Sequence, residues 1–304
     1  MKQFEVTTLI NSTEKVAKQQ DSIESDAPHM KWLKPRSGSY TTTDGTPIEV
    51  WDFVYPEDSE AFSQWARHFR NHYCPDEHID ILRTPEQTRG QYLTEVKFPT
   101  KTGGLGPATR AGDFGEILVA DFLQWVRGYK VPRVRWSSKI IQNESPKGSD
   151  VVGFFLNDPN GPQTEDKLVV YEVKTKFSQS KENRLQTAIN DSAKDYLRIG
   201  ESLNFIKQKM LDRNDMEGVS MVGRFQNPTD NPYLEQYGAA EIISTELECL
   251  ATSCAANCQA VPVNKGSEKV APHPYLKNLE LIVISGSELM KLTHRLYEVA
   301  ANEA

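Results

Sequence analysis

The sequence predicts an α/β protein in which helices flank a mixed β-sheet, and three observations support this fold class. Residues 113–126, "DFGEILVADFLQWV", repeat apolar side chains along one stripe of a helix. The segments "SDVVGFFL" (149–156) and "KLVVYEVKTK" (167–176) are short apolar runs, and the turn-rich residues 157–166 join them as the strands of a hairpin. Apolar residues then recur at helical spacing across 185–196.

The first third of the chain divides into two parts. Residues 1–40 are polar and end in "KPRSGSY", which predicts a loose N-terminal arm. Residues 41–105 predict an N-terminal α/β extension, with a strand in "TPIEVWDFVY" and a helix in "SEAFSQWARHFRNHYC". The glycine-rich stretch "KFPTKTGGLGPATRAG" indicates a connection, after which we expect a helix to begin at Asp113.

The other elements fall in a core over residues 106–224 and a C-terminal extension over 225–304. From residue 113 onward the patterns predict a helix, three strands, a helix and a further strand. The first of these strands is expected in "PRVRWSSKII" and the last in "GVSMVGRF". The extension contributes a strand in "LELIVIS" and a closing helix in "SELMKLTHRLYEVAA", so we expect it to complete the same domain.

The composition is that of an ordinary soluble globular protein. The 304 residues are 38% hydrophobic and 25% charged. Apolar runs are far shorter than the roughly 20 residues needed to cross a bilayer, and the N-terminus lacks the apolar segment of a signal peptide. Three of the four cysteines crowd into "ECLATSCAANC", unlike a secreted disulfide framework. We therefore expect a cytoplasmic protein with no membrane partner.

Charge is distributed unevenly along the chain. The net charge is −7, yet residues 97–149 carry nine Lys/Arg against four Asp/Glu, a local net charge of +5. A basic stripe on an acidic protein suits an anionic ligand held at one site, and a solvated charged face is the alternative. The nucleic-acid contacts that this interpretation predicts are Arg135, Lys139, Lys147 and Lys176.

A glutamate and a lysine interrupt the apolar run at residues 168–176. Side chains alternate between the two faces of a strand, so Glu172 and Lys174 share one face. A hairpin places the start of one strand beside the end of the next, so Asp150 is expected to converge on them. This set is either an ion-pair network or an active site.

These residue types suit phosphodiester hydrolysis. Asp150 and Glu172 offer hard carboxylate oxygens to Mg²⁺ or Mn²⁺, and the backbone carbonyl of Val173 is a further ligand. Lys174 can orient or deprotonate a water molecule, or stabilise the charge that develops on the phosphate. The sequence thus predicts Asp150, Glu172 and Lys174 as catalytic residues and Mg²⁺ (or Mn²⁺) as the cofactor.

The pattern of an aspartate followed by Glu-x-Lys resembles the PD-(D/E)xK nuclease superfamily, although "KGSD" lacks the proline before Asp150. The resemblance implies a restriction-endonuclease-like fold, with a mixed sheet flanked by helices. It also implies that Glu116, on the preceding helix, is a further acidic metal ligand. The alternative for Glu116 is a carboxylate in the first turn of a helix, favoured by the helix dipole.

A closer resemblance spans about residues 60–200. The strings "HYCPDEHIDILR", "RAGDFGEILVADFL", "VPRVRWSSKIIQNESPKGSDVVGF" and "YEVKTKFS" look like the nuclease-subunit family of the Hachiman anti-phage defence system. This resemblance implies a DNase of low sequence specificity that a larger helicase subunit holds in check. Two rival interpretations are an inactive relative that serves as a DNA-binding or scaffolding subunit, and a protein-interaction regulator.

Two further groups have metal-compatible residue types. His68 and His72 lie four residues apart on a predicted helix, but no HExxH glutamate follows His68, so a surface or partly buried pair is favoured. Three cysteines could hold zinc with His273 as a fourth ligand, but the paired CxxC spacing is missing. The cysteines concerned are Cys249, Cys254 and Cys258.

Overall fold

A mixed β-sheet forms the centre of the molecule. The computed structural model describes residues 27–56, 59–179, 181–247, 249–264 and 268–304. Its main strands are β1 (Leu33–Pro35), β2 (Tyr40–Thr41), β3 (Pro47–Phe53), β4 (Val151–Phe155), β5 (Lys167–Lys176) and β6 (Leu234–Ser244), while β7 (Val261–Pro262) and β8 (Val270–Ala271) form a separate ribbon and β9 (Leu279–Gly286) rejoins the sheet.

The sheet has seven strands in the order β1-β3-β9-β6-β5-β4, with β2 also paired to β3. Strands β3, β9, β6 and β5 are parallel, whereas β4 is antiparallel to β5 and β1 is antiparallel to β3. The predicted hairpin of β4 and β5 is confirmed, with Val151 opposite Tyr171. The predicted fold class, a mixed sheet flanked by helices, is therefore confirmed.

Helices cover both faces of this sheet. They are α1 (Ser59–Asn71), α2 (Asp76–Leu82), α3 (Arg89–Tyr92), α4 (Gly106–Asp121), α5 (Arg184–Ser192), α6 (Ile199–Asp212), α7 (Met216–Phe225), α8 (Leu250–Cys254) and α9 (Leu289–Asn302). Along β5, Val169, Tyr171 and Val173 face a core with α1, α4 and α9. Leu168 and Val170 face a second core with α5, α6 and α7, as the two-residue period of a strand requires.

The helix expected at Asp113 begins seven residues earlier, at Gly106. Pro107 lies in its first turn, where a missing N–H removes no helical hydrogen bond, so the proline starts the helix instead of interrupting it. The glycine-rich connection therefore ends at residue 105. Beyond α4 the backbone continues as one π-helical turn over Phe122–Val126.

Two predicted strands are wrong. The segment "PRVRWSSKII" is a loop with a single 3₁₀ turn at Trp136–Ser138, because its arginine side chains turn toward acidic partners instead of alternating along a sheet. The segment "GVSMVGRF" lies in α7, which is capped by the side chain of Asp215 and buries its apolar residues at helical spacing. The central strand β6 is not predicted from its pattern, because its middle, "GAA", combines residues of low β-propensity.

The N-terminal prediction of a loose arm is wrong for the part that the structure describes. Residues 27–35 form a 3₁₀ turn and strand β1, and Met30, Trp32 and Leu33 are buried against α1 and β3. Residues 1–26 lie outside the described residues. Within the described parts of the chain, every helix is too short or too polar to cross a lipid bilayer.

Helix α4 approaches β5 very closely at Gly115. A Cβ atom at this position would lie only 2.5 Å from Thr175 Cγ2, a distance that packed atoms do not tolerate. The neighbouring residue on α4 is Glu116, and Thr175 adjoins Lys174 on β5. The small size of Gly115 therefore lets α4, which carries Glu116, pack closely on the Val173 and Thr175 face of β5, opposite to the face that carries Glu172.

We predict that Gly115→Ala destabilises the protein by about 1–3 kcal/mol, because the added methyl group forces α4 away from β5. Gly112→Ala is a matched control on the same helix, since a Cβ atom there meets nothing within 4 Å. Its better helix propensity should make the control neutral or more stable by up to about 1 kcal/mol. Urea unfolding measures both changes, and equal stabilities for the two variants would contradict the close approach.

Candidate functional site

The site is built where β4 begins and β5 runs past it. Asp150 directly precedes β4, and its Oδ2 accepts a hydrogen bond from the backbone N–H of Val173 at 3.0 Å. Strand β4 starts opposite Tyr171, so among the described residues no strand pairs with this edge of β5 beyond that point. The Asp150 carboxylate takes the place of that partner, which holds it beside Glu172 as the hairpin geometry predicts.

The backbone carbonyl of Val173 faces the same side as Asp150. In a strand, the N–H and C=O of one residue project from the same edge, and the N–H of Val173 is directed to Asp150. The carbonyl oxygen is thus oriented as the predicted ligand role requires. That role stays a prediction.

Glu172 and Lys174 form a close ion pair on the shared face of β5. Lys174 Nζ lies 2.5 Å from Glu172 Oε1 and 3.1 Å from Asp191 Oδ2. Burial by itself would lower the pKa of Lys174, but Glu172 and Asp150 raise it above its usual range. The side chain is therefore a fixed cation, which suits stabilisation of a phosphate charge better than removal of a proton from water.

Arg135 joins the two acids on the other side of the site. Its Nε donates to Glu116 Oε2 at 2.9 Å, and its Nη2 donates to Asp150 Oδ1 at 3.0 Å. Nη1 donates to the carbonyl of Ser149 at 3.0 Å. The predicted nucleic-acid residue Arg135 is thus buried among the site acids, where it holds Glu116 and Asp150 together.

The other predicted nucleic-acid residues have different surroundings. Lys139 is buried and paired with Asp113 beneath the site. Lys176 is also buried, and its ammonium donates to the carbonyl of Glu182 at 3.0 Å. Lys147 is exposed, and it lines a surface cavity together with Asp150. Of the four, Lys147 is therefore the one whose position in this structure suits a direct contact with phosphate.

Crowding of carboxylates controls the protonation of the site. Burial raises the pKa of Glu172 to about 8, and repulsion by Asp150 adds to this effect. Burial likewise raises the pKa of Glu116 to about 8, with repulsion by Asp150 and Asp113 opposing the attraction of Arg135. The raised pKa values indicate that the nearby cations do not fully offset the negative charge of these carboxylates. Carboxylate oxygens are also the hard ligands that Mg²⁺ and Mn²⁺ prefer.

Three further charged residues belong to the site and are not predicted from the sequence. Asp191, at the end of α5, contacts Lys174, and Asp195 is fully buried just beyond it. Arg198 Nη2 lies 2.8 Å from Asp195 Oδ1 and 3.9 Å from Glu172 Oε2. The sequence signal for them is the pair Asp191 and Asp195 within the helical pattern of residues 185–196, since a spacing of four residues places both on one side of a helix.

A separate histidine cluster lies around Asp121, at the end of α4. His29 Nε2 and His68 Nε2 lie 2.9 and 3.0 Å from its two oxygens, a spacing that a metal ion could use. The guanidinium of Arg133 lies 2.7 Å from the same carboxylate and 2.8 Å from His72 Nε2. Because this cation already offsets the charge of Asp121, we interpret the cluster as a network that fastens the N-terminal segment to α1 and α4.

The cysteines give no support to a zinc site. Cys249 is exposed, Cys254 is partly buried and Cys258 is buried, and all are free thiols. His273 is engaged with Ser192 at 3.0 Å. Among the described residues, the group around Asp121 has three His and Asp side chains whose ligand atoms all lie within 4.8 Å of one another, and the cysteines form no such group.

We predict that the metal-free protein loses stability relative to Glu172→Gln as the pH rises. The folded state holds the proton of Glu172 up to a pKa of about 8, whereas the unfolded chain releases it near 4.5, so this contribution falls across that window. Between pH 6 and 9 the difference in free energy of unfolding should change by at least about 1.4 kcal/mol. Chemical denaturation in chelator measures it, with Glu165→Gln on the exposed loop as control; a constant difference would contradict the buried acid.

Comparison with known proteins identifies one family. No curated protein matches this chain. The family model named HamA matches residues 28–300, a range that contains every strand of the sheet and every residue of the site around Asp150 and Glu172. The chain therefore belongs to the HamA family, and this membership supports a subunit of the Hachiman anti-phage defence system.

Proposed function

We propose that this chain is the nuclease of its defence complex, a metal-dependent hydrolase that cleaves DNA with little sequence preference. The observation that carries the proposal is the meeting of Asp150, Glu172 and Lys174 at the open end of the β4–β5 hairpin. The hydrogen bond from Val173 N–H to Asp150 and the ion pair of Glu172 with Lys174 fix this arrangement. Family membership supports the defence role.

The residues that would hold the cation are Asp150, Glu172, the carbonyl of Val173, and Glu116 as a supporting acid. All are oxygen donors, and the raised pKa values of Glu172 and Glu116 indicate a site short of positive charge. A bound Mg²⁺ or Mn²⁺ supplies Lewis-acid activation of water and of the phosphate. Asp150 and Glu172 would hold it, and Gly115 permits the close packing of the helix that carries Glu116.

Lys174 contributes a fixed positive charge beside the cation site. Its side chain is 24% exposed, so its ammonium is reachable from solvent while its partners restrain it. A phosphate group bound next to Glu172 would therefore also contact the ammonium group of Lys174. Such a preorganised cation stabilises charge that develops on the phosphate oxygens during in-line displacement.

Low sequence preference follows from the type of contact available. The cations near the site, including Lys147 on the exposed loop, suit phosphates, which carry no base information. The net charge of −7 gives weak long-range attraction to DNA. We infer that a larger helicase subunit delivers the DNA and restrains the nuclease until it is needed, in the cytoplasm. Ile81 and Leu82 on α2, 78% and 53% exposed, support a docking surface in the N-terminal region.

An inactive DNA-binding subunit is the second candidate, and Arg135 is the observation that favours it. Its guanidinium bridges Glu116 and Asp150 and supplies a positive charge that a divalent cation would otherwise bring. A permanently neutralised site would hold no metal. The retained Glu172 and Lys174 favour the active nuclease instead.

We predict that Glu172→Ala and Lys174→Ala each lower DNA cleavage on the order of 100-fold or more while the fold stays intact, since the first removes a proposed ligand of the cation and the second removes a positive charge beside the reacting phosphate. Lys167→Ala is the matched control, because Lys167 lies at the other end of β5 and contacts Phe155. Plasmid and single-stranded DNA are incubated with each variant in Mg²⁺, with and without the partner subunit. Full cleavage by a folded Glu172→Ala protein would refute the assignment.

We predict that EDTA abolishes cleavage and that Mg²⁺ or Mn²⁺ restores it, because the site offers only hard oxygen ligands. Glu116→Ala should raise the Mg²⁺ concentration for half-maximal activity less than Asp150→Ala does, since Glu116 is held by Arg135 behind Asp150. Activity that survives thorough chelation would point to a metal-free mechanism. An equal effect of the two substitutions would make Glu116 a direct ligand.

A further inference from the structure

Asp195 is a buried acid at the edge of the site with no role in the arrangement described so far. It lies in a 3₁₀ turn between α5 and α6, and its side chain is fully buried. Oδ1 accepts a hydrogen bond from Arg198 Nη2 at 2.8 Å and one from Ser149 Oγ at 3.3 Å. Ser149 is the residue before Asp150, so Asp195 lies next to the start of β4.

The second oxygen of Asp195 is unsatisfied. Oδ2 is buried and has no hydrogen-bond partner among the residues that the structure describes. A buried carboxylate oxygen without a partner is costly, and water molecules or ions commonly satisfy such atoms in native proteins. Beyond Arg198 and Ser149, Asp195 therefore has capacity for one more positive or hydrogen-bonding group.

Three internal cations bridge the acids of the site, and they are not equally fixed. Arg135 bridges Glu116 and Asp150 with its side chain 11% exposed, and Lys174 bridges Glu172 and Asp191 with its side chain 24% exposed. Arg198 spans Glu172 and Asp195, is 39% exposed, and keeps 3.9 Å from Glu172. Its Nε also has no partner among the described residues. Arg198 is thus the cation that is most easily displaced.

We propose that Asp195 is a further carboxylate ligand for the divalent cation of this site, and that it becomes available when Arg198 swings away toward the solvent. The proposal rests on the proposed function, because it uses the cation position at Glu172. Arg198 Nη2 lies between Asp195 Oδ1 and Glu172 Oε2, so displacement of Arg198 frees Asp195 Oδ1 beside Glu172 and supplies one more hard oxygen. The displaced guanidinium, at the N-terminus of α6, is then free to contact a substrate phosphate.

Binding of Mn²⁺ to the metal-free protein without DNA tests the proposal, by isothermal titration calorimetry at one pH. A ligand role predicts opposite effects for the two partners. Asp195→Asn removes a charged ligand and should weaken Mn²⁺ binding by at least about tenfold. Arg198→Gln removes a competing cation and should leave the affinity unchanged or increase it. Asp212→Asn, an exposed aspartate at the far end of α6, is the matched control and should not change it.

A purely structural role for Asp195 predicts a different result. If Asp195 only anchors Arg198, then Asp195→Asn and Arg198→Gln break the same pair and should have the same effect on Mn²⁺ affinity. That outcome would overturn the proposal, as would an unchanged affinity in Asp195→Asn. Thermal unfolding of every variant identifies any that fails to fold, and Asp195→Glu, which keeps the carboxylate, should recover part of the affinity.

Glu172→Gln separates this inference from the proposed function. If Glu172→Gln abolishes Mn²⁺ binding and Asp195→Asn does not weaken it, the cation site stands and the role of Asp195 is wrong. If the wild-type protein binds no Mn²⁺ at all, the metal-dependent function is wrong and the role of Asp195 falls with it.

Discussion

The burial of several carboxylates at one end of the β4–β5 hairpin is the constraint on which the rest of the site depends. Like charges in a poorly solvated space repel one another, and each also loses hydration. Protons, internal cations or a divalent ion must offset this cost. In the metal-free chain, the guanidinium of Arg135 and the ammonium of Lys174 offset part of it, and burial raises the pKa values of Glu172 and Glu116. In the function that we propose, a divalent cation would offset this negative charge better than the singly charged side chains do.

The same constraint explains local structure that sequence patterns do not predict. The segment from 132 to 141 has a strand-like composition, yet it is a loop, because Arg135 must turn inward to reach Glu116 and Asp150. Helix α4 must come close enough to bring Glu116 to this position, and Gly115 permits that approach. The ion pairs of Arg135 with Glu116 and Asp150 are thus incompatible with a regular strand over this segment.

Three internal cations occupy the position around the site acids that a divalent cation would take in the proposed function. Arg135, Lys174 and Arg198 keep the acids assembled before any cation or DNA arrives, which preorganises the site. In the function that we propose, a divalent cation would have to compete with these internal cations and with protons. The proposed nuclease would then stay inactive until cation and DNA are both present, in addition to control by a partner subunit.

The hairpin, the shared face of Glu172 and Lys174, and the convergence of Asp150 can be predicted from the sequence, because the two-residue period of a strand and antiparallel pairing are local rules. Helices α1, α4, α5 and α9 are predicted from apolar spacing in the same way, whereas the pattern predicts a strand where α7 lies. The inward turn of Arg135, the place of β6 in the sheet and the position of Asp195 at the site are seen in the folded molecule alone. These depend on contacts between segments distant in the chain, where burial and opposite charge override local propensity.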